Sequence, residues 1–196
     1  MNHFLKENIQ LLGIKCRDQQ INQLDQMLAF LGTWNKKHNL TRLTEKRDQE
    51  IYHILDALSA SHYFEQSNTI LDVGTGAGFP GVPLAIMHPN KSFHLVDSNG
   101  KKIAYLRALI LDLGLNNVTV YHERIEQLPI PNIDAVTARA VADPKTIINL
   151  TQHLNPKAYI LYVSKNCPGT EKAKIIELNV PESNRTHWLY LLHNSV

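Results

Sequence analysis

An α/β fold with a doubly wound, mostly parallel sheet and an N-terminal helical extension is predicted by three features of the 196-residue sequence. The hydrophobic period changes near residue 69, from helical spacing before it to short β-rich runs after it. Those runs are separated by helix-length segments, the alternation that builds parallel βαβ units. The first run also passes straight into a glycine-dense turn, Gly74-Thr75-Gly76-Ala77-Gly78, ahead of a helical segment.

The helical extension is read from residues 1–63. A short apolar pattern runs from Phe4 to Leu12. After a candidate cap at Asp18, Ile21, Leu24, Leu28 and Leu31 recur on one helical face. Ile51, Ile54, Leu55 and Leu58 repeat the pattern and leave His53 and Asp56 on the polar side of the same helix. Strands follow at Thr69–Val73, 92–96, 118–121, 133–137 and Ala158–Val163. The clearest helix is Gly100–Leu113, with Ser98 as its expected N-cap and Gly114 as its stop. Segments 174–179 and 186–192 read as a terminal strand pair.

At about 150 residues per domain, the length suits one domain with an extension. Apolar residues make up 43% and charged residues 19%, which excludes a disordered, collagen-like or coiled-coil chain. The longest apolar runs fall far short of the ~18 residues of a membrane span, and no signal peptide is visible, so a cytoplasmic location is expected. Cys16 and Cys167, far apart and without metal-ligand spacing, fit reduced thiols. A net charge of +2 permits nucleic-acid binding only through a local basic patch.

The spacing of the glycine turn discriminates between ligands. A dinucleotide fingerprint needs a glycine three residues after the second, where this chain has Phe79, and the Gly-Lys-Ser/Thr ending of a P-loop is absent. Asp97 ends the second strand run about 20 residues on, where a carboxylate can accept hydrogen bonds from two ribose hydroxyls. The run Leu71-Asp72-Val73-Gly74-Thr75-Gly76-Ala77-Gly78 resembles the first motif of class I S-adenosylmethionine-dependent methyltransferases, whose fold is Rossmann-like.

Continued through Phe79-Pro80-Gly81-Val82-Pro83-Leu84-Ala85, and joined with Leu95-Val96-Asp97-Ser98-Asn99-Gly100-Lys101-Lys102, the sequence resembles the RsmG (GidB) family of bacterial 16S rRNA (guanine(527)-N(7))-methyltransferases. Trp34-Asn35, Asn39-Leu40-Thr41, His53-Ile54-Leu55-Asp56-Ala57-Leu58 and Ala138-Arg139-Ala140-Val141 extend the likeness over roughly residues 20–165.

This resemblance implies S-adenosyl-L-methionine as cofactor and 16S rRNA or the small ribosomal subunit as partner, with a monomeric, metal-free enzyme expected. Residues 64–196 would be the cofactor-binding domain beneath the cap. Gly74, Gly76, Gly78 and Phe79 would hold the cofactor, Asp97 its ribose, Ile125 and Glu126 its adenine. Arg139 would complete the site by orientation and charge, with no general base. Ile125 as ordinary core and Glu126 as an exposed loop charge are the structural alternatives.

Asn39, His53, Asp56 and Lys165 are candidate RNA-facing residues, and Arg42, Lys46, Arg47, Lys101, Lys102 and Arg124 are candidate phosphate contacts. The chain departs from the family at Tyr52, usually arginine, at Ala57, usually serine, and at Ser164-Lys165-Asn166. Its segment after Lys165 looks shortened, reducing an expected helix to a turn. A class I methyltransferase acting on a small molecule or protein, and a catalytically silent RNA-binding module, are the rival functions.

Overall fold

The computed structural model describes residues 1–128, 130, 132–167 and 172–194. The chain opens with α1 (His3–Leu11) and α2 (Asp18–His38). Ile21, Leu24, Leu28 and Leu31 are buried along α2, as their spacing requires. Asp18 is the first residue of α2, not its cap. It pairs with Lys6 at 2.8 Å, while Arg17 takes the N-cap position and its N–H donates to the Gln20 side chain at 2.9 Å.

A broken helical run follows: α3 (Lys46–Gln49), a π-helical stretch Glu50–Leu55, α4 (Asp56–Ser59), and a 3₁₀ turn Ser61–Phe64. The expected apolar face, Ile51, Ile54, Leu55 and Leu58, is buried. The π stretch changes what the other side does, because a wider turn rotates side chains away from α spacing. Asp56, read from sequence on a polar face, is buried.

The sheet has seven strands in the order β3-β2-β1-β4-β5-β7-β6: β1 (Thr69–Val73), β2 (Ser92–Asp97), β3 (Val118–His122), β4 (Ala135–Arg139), β5 (Ala158–Val163), β6 (Ala173–Leu178) and β7 (His187–His193). The first five are parallel, and β6 and β7 form the antiparallel edge foreseen at the C-terminus. The shortened segment after Lys165 lies partly outside the described residues. Lys165 and Asn166 form a turn after β5.

The fourth strand starts two residues later than its apolar pattern suggests. Asp134 serves the strand entry, its carboxylate accepting from the N–H groups of Asn68 and Thr69 at 2.8 and 3.0 Å. Arg139 is therefore the last residue of β4 and does not follow it.

Helices α5 (Gly81–Met87) and α6 (Gly100–Leu113) cover one face of the sheet and α7 (Pro144–Thr151) the other. Asn99, not Ser98, caps α6. Its Oδ1 lies 3.0 and 3.3 Å from the N–H groups of Lys101 and Lys102, the reach of a residue immediately before the first turn. Gly114 ends α6 in the left-handed region, as expected.

The helical extension shares one hydrophobic core with the α5–α6 face: Leu5, Ile21, Leu24 and Ile54 pack in the same cluster as Ile70, Phe79, Val82 and Tyr105. Gln20, buried, ties α2 to α5 by donating to the Ile86 carbonyl at 2.8 Å.

Candidate active site

The strand order reverses between β1 and β4, so their connections leave toward opposite faces and open a crevice at the carboxyl ends of the strands. The glycine loop leaves β1 there, and Ala140-Val141 leaves β4. Two clefts flank this point. One, of about 320 Å³, is lined by Val73, Gly74, Asp97, Ile125, Glu126 and Val141 among others. The other, of about 700 Å³, runs from Asp56 and Arg139 past Ala140 and Val141 to Tyr162, His187 and Trp188. Among the described residues, Ala140 and Val141 alone line both. Ala140 has φ +56°, an uncommon conformation for a residue with a Cβ, and Val141 is 44% exposed despite being apolar. Strained backbone of this kind clusters at ligand sites.

The smaller cleft suits a nucleoside-bearing ligand. Asp97 holds the loop in shape: its Oδ2 accepts from Gly76 N–H at 3.1 Å and its Oδ1 from Asn99 N–H at 2.8 Å, with Lys102 Nζ 3.5 Å away. A carboxylate has about four lone-pair sites, so capacity for hydroxyl donors remains. Ile125 is both core and wall: it packs with Val73 and Val96 and also lines the cleft, so the two readings of it coexist. Glu126 is an exposed residue of the same wall.

The glycines divide by role. A Cβ on Gly78 would meet Val82 and Leu106 at 2.8 and 3.1 Å, so Gly78 serves close packing against α5 and α6. A Cβ on Gly76 would meet nothing nearer than 3.8 Å, leaving its face open. Asp72, fully buried beneath the loop, accepts from Gly81 N–H at 2.9 Å. Burial pushes its pKa up to about 7 against the pull of the Thr75 hydroxyl and that N–H.

Phe79 and Arg139 do not line the smaller cleft. Phe79 is buried under the helical extension, its ring stacked on His53 at 4.4 Å and 15°. Arg139 reaches from the end of β4 to the same place. Its Nη1 donates to the Tyr52 carbonyl at 3.0 Å and to Asp56 Oδ2, its Nη2 donates to His53 Nδ1 at 3.2 Å, and its guanidinium lies 5.3 Å from the Phe79 ring centre.

Because a guanidinium only donates, His53 Nδ1 must be the acceptor, and Nε2 carries the proton that reaches Thr41 Oγ1 at 2.8 Å. Burial and the Arg139 charge bring the His53 pKa down to about 4, so the ring is neutral at pH 7. Asp56 Oδ1 accepts from His187 Nδ1 at 2.7 Å. Burial works to raise the Asp56 pKa, but the His187 hydrogen bond and the Arg139 charge outweigh it and hold the carboxyl ionised below its usual range.

The structure thus joins three residues singled out by sequence, His53, Asp56 and Arg139, in one part-buried network, of which Asp56 and Arg139 line the larger cleft. Asn39 is elsewhere: it ends α2 with φ 49° and its side chain is exposed. Lys165 is exposed on its turn and lines neither cleft. Lys46 and Arg47 have carboxylate partners, Asp25 at 2.7 Å and Glu50 at 3.0 Å, and so support the fold of the extension. Arg42, Lys101 and Arg124 are exposed, Arg124 beside the smaller cleft. Thr41, Tyr52, His187 and Trp188 were missed as site residues. Thr41 stands inside the quoted Asn39-Leu40-Thr41 motif and Tyr52 was noted as a departure from the family, but neither was given a role, and His187 and Trp188 had no signal, since their place depends on β7 pairing with β5.

Residues 20–178 match the family model GidB, described as rRNA small subunit methyltransferase G. The chain belongs to this family. It is a methyltransferase by that membership. Relatives described as "Ribosomal RNA small subunit methyltransferase G" include one from Haemophilus influenzae (strain PittEE), 39% identical over 181 residues and covering 87% of this chain and 89% of the relative. Another, from Coxiella burnetii (strain Dugway 5J108-111), is 39% identical and covers 92% of each.

Among solved structures, a SAM dependent methyltransferase from Aquifex aeolicus superposes with a TM-score of 0.57 at 15% identity, covering 80% of this chain and 97% of that one. M. capricolum TrmK in complex with S-adenosyl-homocysteine gives 0.54 at 20% identity, over 70% and 66%. These likenesses confirm the Rossmann-like class I methyltransferase fold. Among the described residues no helix is long and apolar enough to cross a membrane.

Proposed function

We propose that this protein transfers a methyl group from S-adenosylmethionine to N7 of a guanine in 16S rRNA, position 527 by family resemblance, working as a monomer in the cytoplasm on RNA of the small ribosomal subunit. The observation that carries this reading is the pair of clefts that share Ala140 and Val141 among the described residues. One is shaped for the cofactor and the other has room for a base turned out of its strand.

The cofactor supplies an electrophilic methyl group on a sulfonium. In this reading Asp97 accepts from its ribose, Ile125 presents an apolar face to its adenine with Glu126 at the edge, and Gly74 and Gly76 let it approach the backbone. Residues 64–196 form the cofactor-binding unit and residues 1–63 the cap that supplies Asp56 to the larger cleft. Guanine N7 carries a lone pair and no proton, so the nucleophile needs no general base. Catalysis then rests on alignment of the two clefts across Ala140-Val141 and on surroundings that tolerate positive charge moving onto the purine. Arg139 acts by holding the cap to the end of β4, and Phe79 by filling the space between them.

Incubation with labelled S-adenosylmethionine and either unmethylated small ribosomal subunits, ribosomal proteins or small-molecule acceptors tests the substrate class. Label entering the rRNA supports the proposal. Label entering only protein or small molecules favours the first rival, and cofactor binding without any turnover favours a silent module.

A further inference from the structure

We infer that Arg185, seated on the ring of Tyr52 at the rim of the larger cleft, binds a backbone phosphate of the RNA strand that carries the target nucleotide. The inference rests on the reading above, in which that cleft receives a nucleotide. Arg185 lies in the connection between β6 and β7, one residue before Thr186, which together with His187 and Trp188 lines the cleft. Its guanidinium carbon is 4.0 Å from the Tyr52 ring centre. The residue is exposed, and no carboxylate among the described residues is within ion-pair distance of it. Glu182, exposed in the same loop, makes no ion pair with it.

What separates Arg185 from other unpaired surface cations is how firmly its position is set. Its own N–H donates to Ser183 Oγ at 3.1 Å. Tyr52 Oη donates to Asn184 Oδ1 at 2.6 Å, so the platform is tied to the loop it supports. His187 also lies beside the Tyr52 ring, at 6.3 Å and 19°, and is itself held between Asp56 and Ser183. A guanidinium lying on an aromatic ring keeps its in-plane N–H groups available, and two of them match the spacing of phosphate oxygens. A cation ordered before its ligand arrives loses little freedom on binding, which is the advantage of pre-organisation. An ammonium at this place would keep the charge and lose the fork.

The test compares the parent with Arg185→Ala, Arg185→Lys and Tyr52→Leu. Affinity for unmethylated small subunits is measured across a range of KCl concentrations, with KM for methyl transfer and the dissociation constant of S-adenosylmethionine alongside. For Arg185→Ala the affinity for the ribosomal substrate should fall on the order of tenfold at low salt, and the slope of log affinity against log salt should drop by about one. KM should rise in parallel, with cofactor affinity unchanged. Arg185→Lys should keep most of the slope and lose part of the affinity. Tyr52→Leu should weaken binding in the same direction by removing the platform.

Unchanged affinity and slope in Arg185→Ala, with the parent binding and methylating the subunits, would overturn the phosphate assignment and leave the proposed function standing. A parent that neither binds nor methylates RNA would remove both.

Discussion

Gly74 lies so close to Val141 that a Cβ on it would stand 2.7 Å from Val141 Cγ2. This contact joins the two loops that leave β1 and β4 at the point where the clefts meet. Gly74 also has φ +62°, so Gly74→Ala combines left-handed strain with a clash against a side chain at the junction. Gly76→Ala, with φ +61° but open space around its Cβ, carries the strain alone. Each should lose about 1–2 kcal/mol for the backbone conformation. Gly74→Ala should lose more, because Val141 must also shift. Denaturant unfolding, with calorimetric titration of S-adenosylmethionine on the folded variants, checks the order. Equal stability of the two would show that Val141 moves aside freely.

Arg139→Lys tests the network that holds the cap to the sheet. Lysine keeps the charge but cannot serve the Tyr52 carbonyl, Asp56 and His53 together. Turnover on ribosomal substrate should fall by at least an order of magnitude, an effect of roughly 1.4 kcal/mol or more. Arg139→Met should also destabilise the fold by about 3–5 kcal/mol, because it takes one partner from the buried carboxylate of Asp56. Thermal melting with initial-rate measurements separates the two consequences. Near-parental turnover in Arg139→Lys would make Arg139 an anchor with no bearing on the chemistry.

His53 should stay neutral well below the usual range for histidine. Its folded pKa of about 4 lies below the ordinary value of 6.5, so between those values the unfolded chain holds a proton that the folded chain does not. Stability from this group is therefore complete above about pH 6.5 and declines as pH falls toward 4, by at most about 1.4 kcal/mol per pH unit. The imidazole resonances of His53, followed by NMR, should be flat from pH 8 to about 5. A midpoint near 6.5 would mean that Arg139 does not donate to Nδ1.

Asp97→Asn keeps the shape of the β2 end and replaces one acceptor oxygen with a donor. Gly76 N–H or Asn99 N–H would lose its partner, and a ribose hydroxyl would meet a donor. Affinity for S-adenosylmethionine should fall by on the order of 1.5–3 kcal/mol, with little remaining preference over the 2′-deoxy analogue. Calorimetry with both ligands reads this, and a fully retained preference would move the ribose away from Asp97.

The sheet and the residues lining the smaller cleft were legible in the sequence because each rests on local signals. Thr69–Val73 and Ala158–Val163 are apolar runs with matching ends, Gly114 has the φ of +63° that its helix stop demands, and Asp97 closes β2. The larger cleft was not legible in the same way. His53 and Asp56 read as a polar helix face, and the π-helical turn that precedes Asp56 is not visible as a period. His187 and Arg185 enter the picture only because β7 pairs with β5 and brings a distant loop beside Tyr52. Arg139 stood out by being an arginine among small residues at a strand end, yet its direction, toward the cap and not the cofactor cleft, depended on partners more than 80 positions away in the sequence.

The most direct measurement is nucleoside analysis of 16S rRNA after unmethylated small subunits have been incubated with the protein and S-adenosylmethionine. The expected product is 7-methylguanosine at a single position, approaching one methyl group per subunit, formed at least about tenfold more slowly when Arg139→Lys replaces the parent at equal folded concentration. Methyl groups on a carbon or an exocyclic nitrogen, or scattered over many guanines, would contradict the assignment of the two clefts to cofactor and target base.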